Sequence, residues 1–245
     1  MVREKQEADV SVLDNVQQLR FVFQPILLVT EEGSEFKRYE TLLRYGESTS
    51  FPTCLFNDLI NSEENCNVLN AWYEKTIEHY LTTYPNVQFS INIDMKQMVY
   101  DSTWEMLKKI SRFTGRISIE LTEFYQLMPE INHQLFIDSM AYFRSLGLGV
   151  AFDDVGNGQH SMGFVTQNIH RVDCIKLSLL HFRHLEPELT GMILDVWVKI
   201  ALDFQVKLVV EGIETQGLSS FMRQRGVHYQ QGFLWGVPSA EIKGL

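Results

Sequence analysis

The chain of 245 residues is poor in cysteine and proline and has no excess of positive charge. Its three cysteines, Cys54, Cys66 and Cys174, are odd in number, widely spaced and absent from any CxxC pair. That excludes a disulfide framework or zinc cluster and fits a reducing cytoplasm, the expected location. No G-x-G-x-x-G follows a strand-like run, which argues against an open dinucleotide-binding sheet. No apolar run is long enough to span a bilayer, and the charged segment 1–9 has no apolar signal core, so no membrane insertion is expected. Lys and Arg total 21 against 31 Asp and Glu, a formal charge of −10, which speaks against a nucleic acid polymer as partner. Bound cations can still invert that field locally, so a phosphate ligand stays open. Low-complexity segments, linkers and internal repeats are also missing.

What is present is an alternation of two textures. Short apolar, β-branched or aromatic runs at 21–29, 36–44, 87–93, 116–121, 148–153, 174–177, 207–210 and 228–234 read as strands. Stretches of helical periodicity at 67–83, 103–112, 133–146, 187–204 and 216–225 separate them from the third strand onward. The first two strands are divided only by 30–35, a charged turn with Gly33, so they form a hairpin rather than a βαβ unit. Eight strands in this order predict an α/β chain folded as a TIM-like (β/α)8 barrel with an antiparallel first strand. Residues 1–17 read as a polar arm or short helix and 18–245 as the barrel domain. An open doubly wound sheet is the alternative.

Polar residues recur at the ends of these strands. Glu40, Glu120, Asp153, Asp154 and Glu211 each end or interrupt an apolar run, Asn92 sits between isoleucines, and Lys176 follows Cys174-Ile175. One such residue is most simply a solvated strand end. Five carboxylates on successive strands of a barrel converge on one mouth, and their repulsion demands a counter-charge. Hard cations such as Mg²⁺ or Mn²⁺ with oxygen ligands supply it. The adjacent pair Asp153-Asp154 suits two ions, the usual clamp for phosphodiester cleavage. The bland alternative is a structural polar network.

At these positions the chain resembles the EAL domain family, bacterial phosphodiesterases of cyclic di-GMP, from about Phe21 to Pro238. Gln24-Pro25-Ile26 resembles QPI, and Glu40-Thr41-Leu42-Leu43-Arg44 resembles EALLR. Ser90-Ile91-Asn92 resembles the strand with the ligand asparagine, and Glu120-Leu121-Thr122-Glu123 resembles E-x-T-E. Asp153-Asp154-Val155-Gly156-Asn157-Gly158 is similar to DDFGTG, and Ile175-Lys176-Leu177-Ser178 to LKID. Glu211-Gly212-Ile213-Glu214-Thr215 resembles EGVET, and Gln231-Gly232-Phe233 resembles QGY. The resemblance implies two divalent cations, Mg²⁺ or Mn²⁺, held by Glu40, Asn92, Glu120, Asp153, Asp154 and Glu211, and hydrolysis of cyclic di-GMP to linear pGpG. Lys176 would orient the attacking water, Glu211 would double as general base, and Glu123 would anchor the loop after Asp154. Gln24, Leu42, Arg44 and Gln231 would contact substrate, and a homodimer is expected.

The chain departs from the family in that loop. Val155, Asn157 and Gln159-His160-Ser161-Met162 replace the usual phenylalanine, threonine and YSSL, and Ser178 replaces an aspartate. The change leaves a second reading, a catalytically weak or inactive module that binds cyclic di-GMP or a protein. An unrelated Mg²⁺-dependent, enolase-like barrel is more remote. His160, His181 and His184 read as surface residues, Cys174 as a buried apolar one, and Trp72, Tyr73, Tyr80 and Tyr84 as packing residues at helical spacing.

Overall fold

The computed structural model describes residues 12–122, 133–158 and 160–242. The strands are β1 (Leu19–Val29), β2 (Ser34–Tyr45), β3 (Phe89–Ile93), β4 (Ile117–Leu121), β5 (Gly149–Phe152), β6 (Cys174–Ser178), β7 (Lys207–Glu211) and β8 (Tyr229–Gln231). They close into a barrel in sequence order. β1 pairs antiparallel with both β2 and β8, and every other neighbouring pair is parallel. The expected inverted first strand is therefore present, and it follows from the tight turn in which Thr30 N–H donates to Gly33 O at 2.8 Å.

The helices are α1 (Thr53–Leu59), α2 (Glu63–Thr83), α3 (Asp101–Ile110), α4 (His133–Ser145), α5 (Met162–Asn168), α6 (Pro187–Phe204) and α7 (Gln216–Gln224). Three start on hydroxyl caps: Ser62 accepts from Asn65 N–H, Ser161 from Phe164 N–H and Thr215 from Leu218 N–H. Pro187, fixed in φ and needing no donor, opens α6. The short α1 and α5 do not show in the sequence periodicity, since 7 residues hold too few turns to display it. The last strand is shorter than expected and stops at Gln231. Gly232, at φ +157°, turns the chain against Ile213, where a Cβ would lie 2.2 Å from Ile213 O. Residues 12–17 are helical, Val16 is buried in the core, and Asn15 accepts from the Tyr45 hydroxyl at 3.1 Å. None of the described helices is long and apolar enough to cross a membrane.

The strands sort their side chains by parity. Ile91, Ile93, Ile119, Leu121, Val150, Phe152, Ile175, Leu177 and Val210 are all buried in the continuous layer between barrel and helices. The alternate positions face the barrel axis. There Ile26, Ala151, Cys174 and Val209, with Tyr229 against them, form a separate apolar plug at mid-height. The plug divides the interior into two polar ends, and the carboxylates occupy the one at the C-terminal ends of β2 to β7.

Candidate active site

Lys176 organises this mouth. Its side chain is 2% exposed, and its Nζ lies 3.1 Å from Glu40 Oε2, 2.7 Å from Glu120 Oε2, 3.1 Å from Asp153 Oδ1 and 2.6 Å from Glu211 Oε1. Four acidic side chains from β2, β4, the end of β5 and β7 thus meet on one ammonium from β6. Local sequence fixes each direction, because each of these residues follows a core-facing residue of its strand: Tyr39, Ile119, Phe152, Ile175 and Val210. Asn92 donates from Nδ2 to Glu40 Oε1 at 3.0 Å, and Gln231 donates from Nε2 to Glu40 Oε2 at 2.6 Å. Gln231 Nε2 also reaches Gln24 Oε1 at 3.2 Å, and Gln24 donates to Gly236 O at 3.2 Å.

One ammonium cannot neutralise four carboxylates, two of them, Glu40 and Glu120, buried and two, Asp153 and Glu211, partly so. Burial pushes the Glu120 carboxyl up to about 7 and the Glu211 carboxyl up to about 8, and Asp153 is also raised by its burial. Glu40 is the exception. Burial again opposes its charge, but the Lys176 ammonium and the N–H donors of Gln231 and Asn92 hold it below the ordinary range. Burial works against the Lys176 charge too, and the surrounding carboxylates overcome it and keep the ammonium protonated. Ligand oxygens of Glu40, Glu120 and Asp153 lie within 4.8 Å of one another, a grouping able to hold a metal ion.

The Asp153-Asp154 pair is split. Asp153 points into the cluster, whereas Asp154, at φ +48°, turns its carboxylate toward His181, whose Nε2 is 3.1 Å from Asp154 Oδ1. His181 is exposed, as expected, and its spacing from Asp154 along the chain gives no sign of the contact. His160, by contrast, corrects the expectation of a surface position. It is fully buried, its ring lying on Phe152 and Phe164 at centroid distances of 5.2 and 5.9 Å. Its Nδ1 is 2.5 Å from Asp153 O, and its own carbonyl accepts from Gly156 N–H at 2.8 Å. The aromatic neighbours give this imidazole an apolar bed that loop composition could not reveal. Glu123 and Gln159 lie outside the described residues.

Two cavities flank the carboxylates and meet at Glu40 and Leu42. The larger, about 620 Å³, is walled by Arg44, Phe51, Phe56, Tyr73, Asn92 and Asp154, among others. The smaller, about 400 Å³, is bounded by Gln24, Arg183, Glu211, Gln231 and Phe233. Arg44 donates to Leu43 O at 2.8 Å, with its guanidinium at the larger cavity. Tyr73 belongs to the core as expected, and it also lines this cavity.

The pattern of the EAL domain family matches residues 7–238, and the chain belongs to that family. The chain is 24% identical over 64% of its length to a probable cyclic di-GMP phosphodiesterase of Escherichia coli K12, PdeB, of which the match covers 29%. Its fold superposes on BlrP1 of Klebsiella pneumoniae, solved with manganese and cyclic di-GMP, at a TM-score of 0.72 and 21% identity, covering 91% of this chain and 56% of the other. An EAL domain protein of Listeria monocytogenes superposes at a TM-score of 0.70 and 17% identity, covering 94% and 93%. The chain spans less than a third of the length of PdeB.

Proposed function

We propose that the chain is a metal-dependent phosphodiesterase that hydrolyses cyclic di-GMP to linear pGpG. The observation that carries this reading is the set of four carboxylates around Lys176, placed between two cavities in a member of the EAL domain family. The donor set fits hard divalent cations. It is all oxygen, it holds more negative charge than its ammonium balances, and burial already forces two of its carboxyls toward neutrality. Glu40, Asn92, Glu120 and Asp153 would hold one cation, and Asp154 and Glu211 would serve a second, Mg²⁺ or Mn²⁺ in each case. When bound, these ions polarise the phosphate and stabilise the charge that develops on it.

The chain's own groups do the rest. Lys176 Nζ orients the attacking water, and Glu211 as carboxylate takes its proton as the new P–O bond forms and a ring P–O bond breaks, the departing ribose oxygen taking a proton from solvent to become the free hydroxyl of the linear product. Arg44 offers a planar fork that matches phosphate oxygens. Leu42 lines both cavities, Gln24 and Gln231 line the smaller, and a cavity on either side suits a ligand with two bases. Residues 18–245 form the catalytic unit in this reading, with Glu123 supporting the loop after Asp154. Pairing of two copies belongs to the same proposal, and the exposed Leu189, Met192 and Val196 of α6 are apolar surface that it would cover.

One observation favours a second reading, a binding module without turnover: the Asp154 carboxylate faces His181 rather than the cluster. Incubating the purified protein with cyclic di-GMP and Mn²⁺ separates the two. The phosphodiesterase reading expects pGpG from the wild type and none from Glu40→Ala. Measurable binding of cyclic di-GMP with no product refutes turnover and leaves the binding module.

A further inference from the structure

The opposite end of the barrel carries a second polar chamber of reversed sign. A cavity of about 300 Å³ opens there, lined by Arg38, Arg116, Ser118, Gly149, Asp173 and Lys207 among others. It lies at the N-terminal ends of the parallel strands, with Cys174 of the apolar plug in its wall. Arg38 and Glu40 stand two residues apart on β2, so both face the interior, one at each end.

Three features distinguish this cavity from a chance cluster of surface cations. First, Arg38 is half-buried, and among the described residues its side chain has no hydrogen-bond or ion-pair partner. Lys207 Nζ stands over the Tyr229 ring at 5.7 Å, with no carboxylate paired to it among the described residues. Arg116 is spent on the Leu81 and Tyr84 carbonyls at the C-terminal end of α2 and on the Val87 carbonyl, neutral acceptors that leave its positive charge uncancelled. Second, the acidic residue of the rim is occupied elsewhere: Asp173 Oδ2 accepts from Val150 N–H at 2.9 Å, and Oδ1 lies 4.0 Å from Arg144. Burial pushes the Cys174 thiol up to about 11, so it adds no negative charge. Third, Ser118 is held in the cavity wall by a close approach of β4 and β5 that only a glycine permits. Gly149 lies in a strand without positive φ, and a Cβ there would stand 3.1 Å from Ser118 Oγ.

We infer that this chamber binds a phosphate-bearing small molecule. Arg38 supplies a fork for two phosphate oxygens, Lys207 a mobile point charge and Ser118 a hydroxyl donor. The volume exceeds that of a bare phosphate, so the class indicated is a phosphate monoester of modest size. The site is separate from the carboxylate mouth and does not depend on the reaction proposed there.

The experiment titrates the full chain, stripped of metal with EDTA, by calorimetry with inorganic phosphate and with ribose 5-phosphate at constant ionic strength. Amide NMR shifts locate the ligand. Without metal the carboxylate mouth repels phosphate, so one saturable site is expected, tighter for ribose 5-phosphate, with shifts at Gly115, Ser118 and Gly149. Arg38→Gln should weaken binding at least about tenfold, one lost charge-assisted contact, and Lys207→Gln should weaken it less. Glu40→Gln should leave it unchanged. Arg38→Lys keeps the charge without the fork and gives an intermediate affinity, which serves if Arg38→Gln does not fold. Absence of saturable binding, equal affinity in wild type and the Arg38 variants, or shifts confined to Gly212 and Gly232 at the other mouth would each overturn the assignment.

Discussion

Replacing Lys176 by Met tests the electrostatic account of the carboxylate mouth directly. The substitution removes an ammonium with four carboxylate oxygens within 2.6–3.1 Å and puts an unbranched apolar chain in its place. Deleting one partner of a buried ion pair costs about 3–5 kcal/mol, because the remaining charge is left uncompensated. Protonation can relieve that cost. At pH 6 the wild-type Glu120 and Glu211 carboxyls, lifted to about 7 and about 8, are already largely neutral, and the variant needs only a further proton on Asp153 or Glu40. At pH 8.5 the wild-type carboxylates ionise against Lys176, and in the variant they cannot ionise without strong repulsion. The loss of stability in Lys176→Met should therefore be small near pH 6 and approach the full ~3–5 kcal/mol near pH 8.5. At about 2–4 °C per kcal/mol for a chain of this size, the melting temperature should fall by ~6–20 °C at the higher pH. Urea unfolding of metal-free protein across this range, followed by circular dichroism, measures it. A loss that is equal at both pH values, or below ~1 kcal/mol at pH 8.5, refutes the reasoning.

Three further outcomes follow from the same geometry. In metal-free wild type, Glu120 and Glu211 have folded pKa values above their ordinary 4.5, so the folded state binds more protons between these limits. Stability should thus decline as pH rises from about 5 to 8, and saturating Mn²⁺ should abolish or reverse the decline in thermal melts. For the same reason Mn²⁺ affinity measured by calorimetry should strengthen with pH over 6–9, with proton release on binding, a flat profile counting against the raised carboxyls. Ca²⁺ in place of Mg²⁺ should support ligand binding but reduce turnover at least about tenfold, since its longer bonds and looser geometry spoil a compact arrangement. Equal rates of pGpG formation with both ions would count against the proposed mechanism.

Much of this architecture was legible along the chain because a barrel strand has only two faces. Alternation such as Ile117-Ser118-Ile119-Glu120 identifies both the strand and the inward direction of its polar residues, and the turn at Gly33 already implies that the first strand runs against its neighbour. The carboxylates, Asn92 and Lys176 could be named as one group for that reason. Contacts between loops carry no such period. Nothing in the spacing announces that Asp154 turns at φ +48° toward His181, or that His160 is buried between Phe152 and Phe164. The sequence by itself determined the eight strands, their order and the acids at their ends, since these follow from local periodicity repeated strand by strand, whereas closure of the barrel came from the pairing of β1 with β8. Only tertiary structure decided that Lys176 stands at the centre of those acids, that the plug of Ile26, Ala151, Cys174 and Val209 divides the interior, and that Arg38 and Lys207 share a cavity at the far end. Those relations depend on how the strands stagger around the axis, which no single strand encodes.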